Sequence, residues 1–205
     1  MTTLFTYCIR IDDGAAPNPY WGKCTLVICK PRIRSTAAVG DWIVGMGSKN
    51  SPIGDCREKV VYAMRVSQKM TMREYDFFTL EKLPQKIPDW QNAEVKRRLG
   101  DSIYDFSTNP PSLRKSVHKE ENQETDLGGK FALISDHFFY FGISPVLLPE
   151  NLKPIVKTGQ AHRSRSNAPY VEKFIKWIHS LGYRPNSILA EPQIKKSNSC
   201  VNKTC

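Results

Sequence analysis

Apolar residues fall in short runs separated by stretches crowded with turn formers. Leu4 to Ile11 is apolar, β-branched and aromatic, and Asp12 to Gly22 is rich in Gly, Pro and Asn, the pattern of a strand followed by a long loop. Cys24 to Cys29 is a second strand leading into the basic segment Lys30, Arg32, Arg34. Gly40-Asp41 opens a third strand over Trp42 to Met46, and Val60 to Val66 supplies a fourth. Thr71 with Glu74 three residues on has the form of a capping box, which predicts a short helix over Met72 to Leu80. Apolar density then drops between Leu83 and Lys130. Only Asp89 to Leu99 reads as helical there, and the part around 108–129, above all Ser112 to Gly129, reads as a flexible insertion.

Phe131 to Phe141 is the densest aromatic stretch and predicts one buried strand, continuing after Gly142 toward Leu148. The clearest helix follows Asn167-Ala168-Pro169. Asn suits the cap, Pro suits the first turn, and Val171, Phe174, Ile175, Ile178 and Leu181 recur at helical spacing until Gly182. These elements predict an α+β fold: a mixed, largely antiparallel sheet or partly open barrel, with helices packed on it. The chain reads as one domain over residues 1–190 and a basic, frayed tail over 191–205.

Composition adds little to this picture, whereas charge and cysteine placement change it. With 40% hydrophobic and 24% charged residues the chain is of ordinary globular type, and no apolar run reaches the roughly 18 residues of a spanning helix. The six cysteines fall at irregular spacings without a CxxC pair, as expected of reduced thiols in a cytoplasm. Of the net charge of +10, residues 151–205 carry +8, from ten Lys or Arg against Glu172 and Glu191, which leaves +2 for the first 150 residues. That basic zone would draw phosphates through its long-range field.

Several motifs bear on chemistry. Gly45 to Asn50 (GMGSKN) fails the spacing of a Walker loop and lacks the third glycine of a dinucleotide fingerprint, so it reads as a sharp turn at a strand end. Ser135, Asp136 and His137 hold the letters of a catalytic triad, but neighbours on a strand point to opposite faces and cannot form its relay. Trp21, Trp42 and Tyr140 are aromatic candidates for stacking a base. Gly159 to Asn167 (GQAHRSRSN) directly precedes the clear helix, which makes His162, Arg163 and Arg165 candidates for holding a phosphate at its N-terminus. The aromatic strand and this late loop are expected to meet in one pocket. If the protein is instead an enzyme, His137 or His162 is the candidate general acid or base, oriented by Asp41 or Asp136.

The runs GDWIVGMGSKN and KVVYAMRVSQKMTMREYDFF are similar to a strand pair of small PUA-like barrels, EVE-type domains included. With YCIRIDDGAAPNPYWGKCTLVICKPRIR, SDHFFYFG and GQAHR, the chain resembles the second class of nucleotide-modification-associated domains over most of residues 5–183. The family pattern has glycine before the histidine of the late motif, where this chain has Ala161. That family was linked to hypermodified DNA bases, particularly of phages and their hosts. The resemblance therefore implies a nucleic-acid or nucleotide partner, recognition of a modified or extruded base with Trp42 and Tyr140 stacking, and phosphate held by His162 and Arg163. Such binding requires no cofactor. The alternative is an enzyme acting on a nucleobase or nucleotide.

Overall fold

The computed structural model describes residues 1–193, and the expected tail therefore lies largely outside the described residues. Its strands are β1 (Leu4–Cys8), β2 (Cys24–Leu26), β3 (Trp42–Met46), β4 (Lys59–Arg65), β5 (Gln68–Thr71), β6 (Tyr104–Asp105), β7 (Ser112–Leu113), β8 (Phe131–Ser135), β9 (His137–Tyr140), β10 (Val146–Leu147), β11 (His162–Arg163) and β12 (Ser187–Ile188). The helices are α1 (Pro31–Thr36), α2 (Met72–Lys82), α3 (Val95–Arg98), α4 (Gln123–Gly128) and α5 (Val171–Ser180). Seven strands form one sheet in the order β11-β1-β3-β4-β9-β12, with β10 also paired to β4, and β2-β8-β5 form a second. Most pairings are antiparallel, while β1 with β3 and β9 with β12 run parallel. The main sheet is open rather than closed into a barrel, because β11 and β12 are its two edges.

Period-2 patterning explains the layers. Phe138 and Tyr140 face a core shared with Tyr7, Tyr62, Leu26 and Leu133, between the two sheets. Phe139 faces the other way and joins Trp42, Val44 and Ala63 beneath Phe174 and Ile178 of α5. The outer face of the small sheet packs Ala132 and Ile134 against Met72 and Tyr75 of α2.

The expected aromatic strand divides at Asp136, since β8 pairs with β2 and β5 whereas β9 pairs with β4 and β12. Ser135 makes the break: its Oγ accepts from the His137 backbone N–H at 3.0 Å and donates to the His137 carbonyl at 2.9 Å. The capping box forms as read, with Glu74 N–H donating to Thr71 Oγ1 at 3.2 Å and the Thr71 N–H to Glu74 Oε2 at 2.7 Å. Asn167 does not cap α5. Its Nδ2 donates to the Leu4 carbonyl at 2.9 Å, and a 3-10 turn over Arg165–Tyr170 separates it from the helix. Only Val95–Arg98 of the stretch 89–99 is helical. Residues 108–129, read as a flexible insertion, bring His118 and Asp126 into the interior at 5% and 0% exposure. Glu191 to Gln193 are likewise docked, the Gln193 N–H donating to the Asp12 carbonyl at 2.8 Å.

Candidate functional site

The parallel pair β1 and β3 ends on one side of the molecule, and both chain exits open into a cleft of roughly 1010 Å³. Its walls come from four separated segments: Cys8 to Ile11 after β1, Cys29 to Ile33 at the start of α1, Ser48 to Asn50 after β3, and Thr158 to His162. The exposed Arg57 and Thr125 add to the rim, and Asn122 with the buried His118 and Asp126 lines the inner end. Five of the lining side chains are cationic (Arg10, Lys30, Arg32, Lys49, Arg57) and one is acidic, the buried Asp126. Arg57 is already paired with Asp55 at 2.6 Å. Lys30 Nζ lies 5.1 Å from the centre of the Tyr7 ring, which fixes its ammonium by a cation–π contact. The turn read in GMGSKN is therefore one wall of this cleft.

The inner end holds a compact cluster of polar groups. Asp126 Oδ2 lies 2.5 Å from His118 Nδ1, and His118 Nε2 lies 3.6 Å from Cys29 Sγ. An ionised carboxylate can only accept, so His118 Nδ1–H donates to it and Nε2 faces the thiol. Asp126 also accepts the Cys29 backbone N–H on Oδ1 at 2.7 Å and the Tyr104 hydroxyl on Oδ2 at 2.9 Å. One carboxylate thus orients both the imidazole and the segment bearing the thiol.

Cys29 stands at a sharp strand-to-helix corner, with φ 58 there and φ 43 at Lys30, both in the left-handed region that side chains disfavour. Arg34, fully buried, holds that corner. Its Nε donates to the Cys29 carbonyl at 2.7 Å, one Nη to the Phe131 carbonyl at 2.9 Å, and the other to the Asp126 carbonyl. Burial pulls the Arg34 guanidinium down to about 10, still charged at neutral pH. Gly129 packs flat against it, since a Cβ there would sit 2.3 Å from Arg34 Cζ.

Three donors of kinds that bind zinc meet here, all within 4.8 Å of one another. The imidazole also meets the thiol and the carboxylate through different nitrogens, the arrangement of a relay.

The residues singled out in the sequence are scattered. His162 lines the cleft, at the loop where Ala161 has φ 66, a conformation that suits the glycine of the family pattern. Burial lowers its imidazole pKa, with Arg32 as a second cause. Arg163 and Arg165 line a shallow neighbouring depression of roughly 450 Å³ with Lys157 and Ser164 to Ser166. They are not at the N-terminus of α5, because the 3-10 turn intervenes.

His137 lies elsewhere, four strand steps from β11 across the main sheet, so the expected convergence of the aromatic strand and the late loop does not occur. At ~4.8 Å per strand step the separation is roughly 19 Å. His137 Nε2 is 3.1 Å from His179 Nε2 on α5. Trp42 is 1% exposed and Tyr140 is 0% exposed, both in the core, with the Tyr140 hydroxyl donating to Asp12 Oδ1 at 2.6 Å. Neither offers a ring face to a base. Trp21 packs beside α3 with Lys96 Nζ 5.1 Å from its ring centre. Asp41 accepts the Thr3 and Ala38 N–H groups, and Asp136 accepts the Ser67 hydroxyl.

Cys29, His118 and Asp126 escaped the sequence reading because 89 and 8 positions separate them and no spacing rule links them. The only local signal was a cysteine closing the run CTLVIC directly before Lys-Pro.

The fold and the cleft define an α+β protein with a cationic, thiol-bearing cavity. The chain matches the model of the family described as nucleotide modification associated domain 2 over residues 1–199, and it belongs to that family. Comparisons with curated proteins and with solved structures gave no match. Among the described residues no helix is long and apolar enough to cross a membrane, and Cys8, Cys24, Cys29 and Cys56 form no disulfide with one another.

Proposed function

We propose that the cleft binds the phosphates of a nucleotide or nucleic acid, and that the protein acts there as an enzyme. One observation carries the reading: cationic side chains from separate segments surround the inner end that Cys29 and His118 line, and the single acid among the lining residues is buried. Phosphate is the anion that arginine clusters of this kind hold, by charge and by paired N–H donors. The family's association with nucleotide modification points the same way.

A reader of a modified base is the competing view. It requires a broad aromatic plane, and no Phe, Tyr or Trp is among the residues lining the cleft. The buried arrangement at Cys29 instead favours chemistry.

Binding of a fluorescent single-stranded oligonucleotide and of a nucleoside triphosphate, each titrated at several salt concentrations, tests this reading. Arg32→Glu should weaken binding by about tenfold or more and flatten the salt slope, as loss of a phosphate contact does. Arg165→Glu, outside the cleft, should have the smaller effect. Equal effects would mean that only net charge matters, and the cleft reading would fall.

A further inference from the structure

We propose that Cys29, His118 and Asp126 form a nucleophilic triad that cleaves or transfers an acyl group of a phosphate-bearing substrate through a thioester on Cys29. The inference rests on the cleft being the substrate site, and it names the bond that the site breaks.

The geometry supplies each part. Cys29 Sγ is half-buried and lines the cleft, His118 Nε2 is 3.6 Å away, and Asp126 lies 2.5 Å behind on Nδ1. A thiol–imidazole pair oriented by a third group is the arrangement that activates a cysteine nucleophile. The corner at Cys29 is strained and is held by three carbonyl contacts of Arg34, so the thiol's position is over-determined by its surroundings.

The steps balance. His118 Nε2 takes the proton of Cys29, and the sulfur adds to a carbonyl carbon, forming a C–S bond and a tetrahedral oxyanion. Collapse breaks the bond to the leaving oxygen or nitrogen, which takes the proton from His118 Nε2–H. An incoming water or amine then gives His118 a proton as its oxygen or nitrogen attacks the thioester carbon. The C–S bond breaks, and the sulfur recovers that proton. Asp126 remains ionised throughout and stabilises the transient imidazolium.

The proposed electrophile is a carbonyl carbon, which a cysteine nucleophile attacks to give a thioester. Arg34, which holds the Cys29 corner, is turned away to backbone carbonyls, while Lys30 and Arg32 line the cleft. The cleft cations therefore anchor a phosphate while the thiol meets an acyl carbon.

The test uses the full chain and p-nitrophenyl acetate, a neutral acyl donor, so that it does not depend on nucleotide binding. The wild type should release a burst of nitrophenolate equal to the protein concentration and gain one acetyl group on Cys29 by peptide mass spectrometry. Cys56→Ser removes a thiol outside the cleft and should keep the burst, and Cys29→Ser should lose it. His118→Gln should slow acylation about 100-fold, the lower range for loss of a general base. Thermal melting of each variant accompanies the kinetics. Should His118→Gln unfold, alkylation of wild-type Cys29 by iodoacetamide supplies the second measurement and should outpace that of Cys8 and Cys56 by at least about tenfold.

Acetylation spread over the thiols, an unchanged rate in a folded His118→Gln, or one equivalent of zinc whose removal is needed to expose Cys29 would overturn the triad. A Cys29 burst that nucleoside triphosphate does not slow, together with failed oligonucleotide binding, would reject the phosphate-bearing substrate while leaving the nucleophile in place.

Discussion

The two faces of the main sheet teach opposite lessons about where chemistry can be built. On the α5 side, Trp42, Phe139, Phe174 and Ile178 interlock on regular elements, with ring pairs such as Trp42–Phe174 at 5.9 Å and 74°. On the cleft side, the working groups hang on short helices, turns and residues with positive φ. Regular packing consumes side chains, since each ring in it is already covered. The irregular side leaves a cationic space with a thiol at its inner end, and it holds its shape by buried hydrogen bonds instead.

The largest contrast should come from Phe174→Ala. Removing a ring at 0% exposure should cost about 3–5 kcal/mol in urea unfolding, by loss of burial and creation of a cavity. Wherever the variant remains folded, Cys29 should acylate at the wild-type rate, because α5 does not line the cleft. A slowed burst would show that the two faces are coupled through the sheet.

Gly129→Ala probes the opposite side. A Cβ at 2.3 Å from Arg34 Cζ would force the guanidinium off the carbonyls of Cys29, Phe131 and Asp126. A loss of about 1–3 kcal/mol is expected, together with slower acylation of Cys29 out of proportion to the loss of stability. Wild-type kinetics in this variant would mean that Arg34 does not position the thiol.

What was legible follows from which forces are local. The capping box at Thr71 and Glu74 involves neighbours in sequence, and the apolar stripe of α5 repeats with a helix period, so both could be read in advance. The division of the aromatic run at Asp136 depends on which strands lie beside each half, which no local pattern states. Charge misled for a related reason. The first 150 residues sum to only +2, yet Arg10, Lys30, Arg32, Lys49 and Arg57 gather from them at one cleft. Likewise Tyr140 looked like a stacking ring and is a core residue bonded to Asp12.

That Tyr140–Asp12 contact gives a pH test between the two sides. Asp12 is buried and its carboxyl is pushed up to about 7, first by desolvation and against the Tyr140 hydrogen bond. The folded state holds the proton more tightly than the unfolded chain. Stability should therefore be greatest near pH 4, fall as pH rises toward 7, and level off above it. Asp12→Asn should remove that dependence and raise stability at pH 8 by about 1–3 kcal/mol, since the amide buries no charge. A flat wild-type difference between pH 4 and 8, after comparison with the variant, would show that Asp12 is ionised in the fold.

The smallest effect belongs to His137, which the sequence offered as an acid or base. Its pKa is lowered, chiefly by burial, then by His179 and Arg65, and the two imidazoles stand 3.1 Å apart. A depressed folded pKa means that the unfolded chain protonates first, so stability should drop as pH falls below about 6.5, the usual histidine value. His137 is partly exposed, and screening should hold this loss to about 1 kcal/mol or less. Trp42 touches both rings edge-on, at 5.5 and 6.0 Å, so its fluorescence should report the titration. His179→Gln should move the transition upward by removing the neighbouring positive charge. His137→Gln should leave oligonucleotide binding and the Cys29 burst unchanged, because roughly 19 Å of sheet separates it from β11. A loss of either activity there would mean that a residue packed under α5 takes part in the chemistry, and the division of labour between the two faces would be wrong.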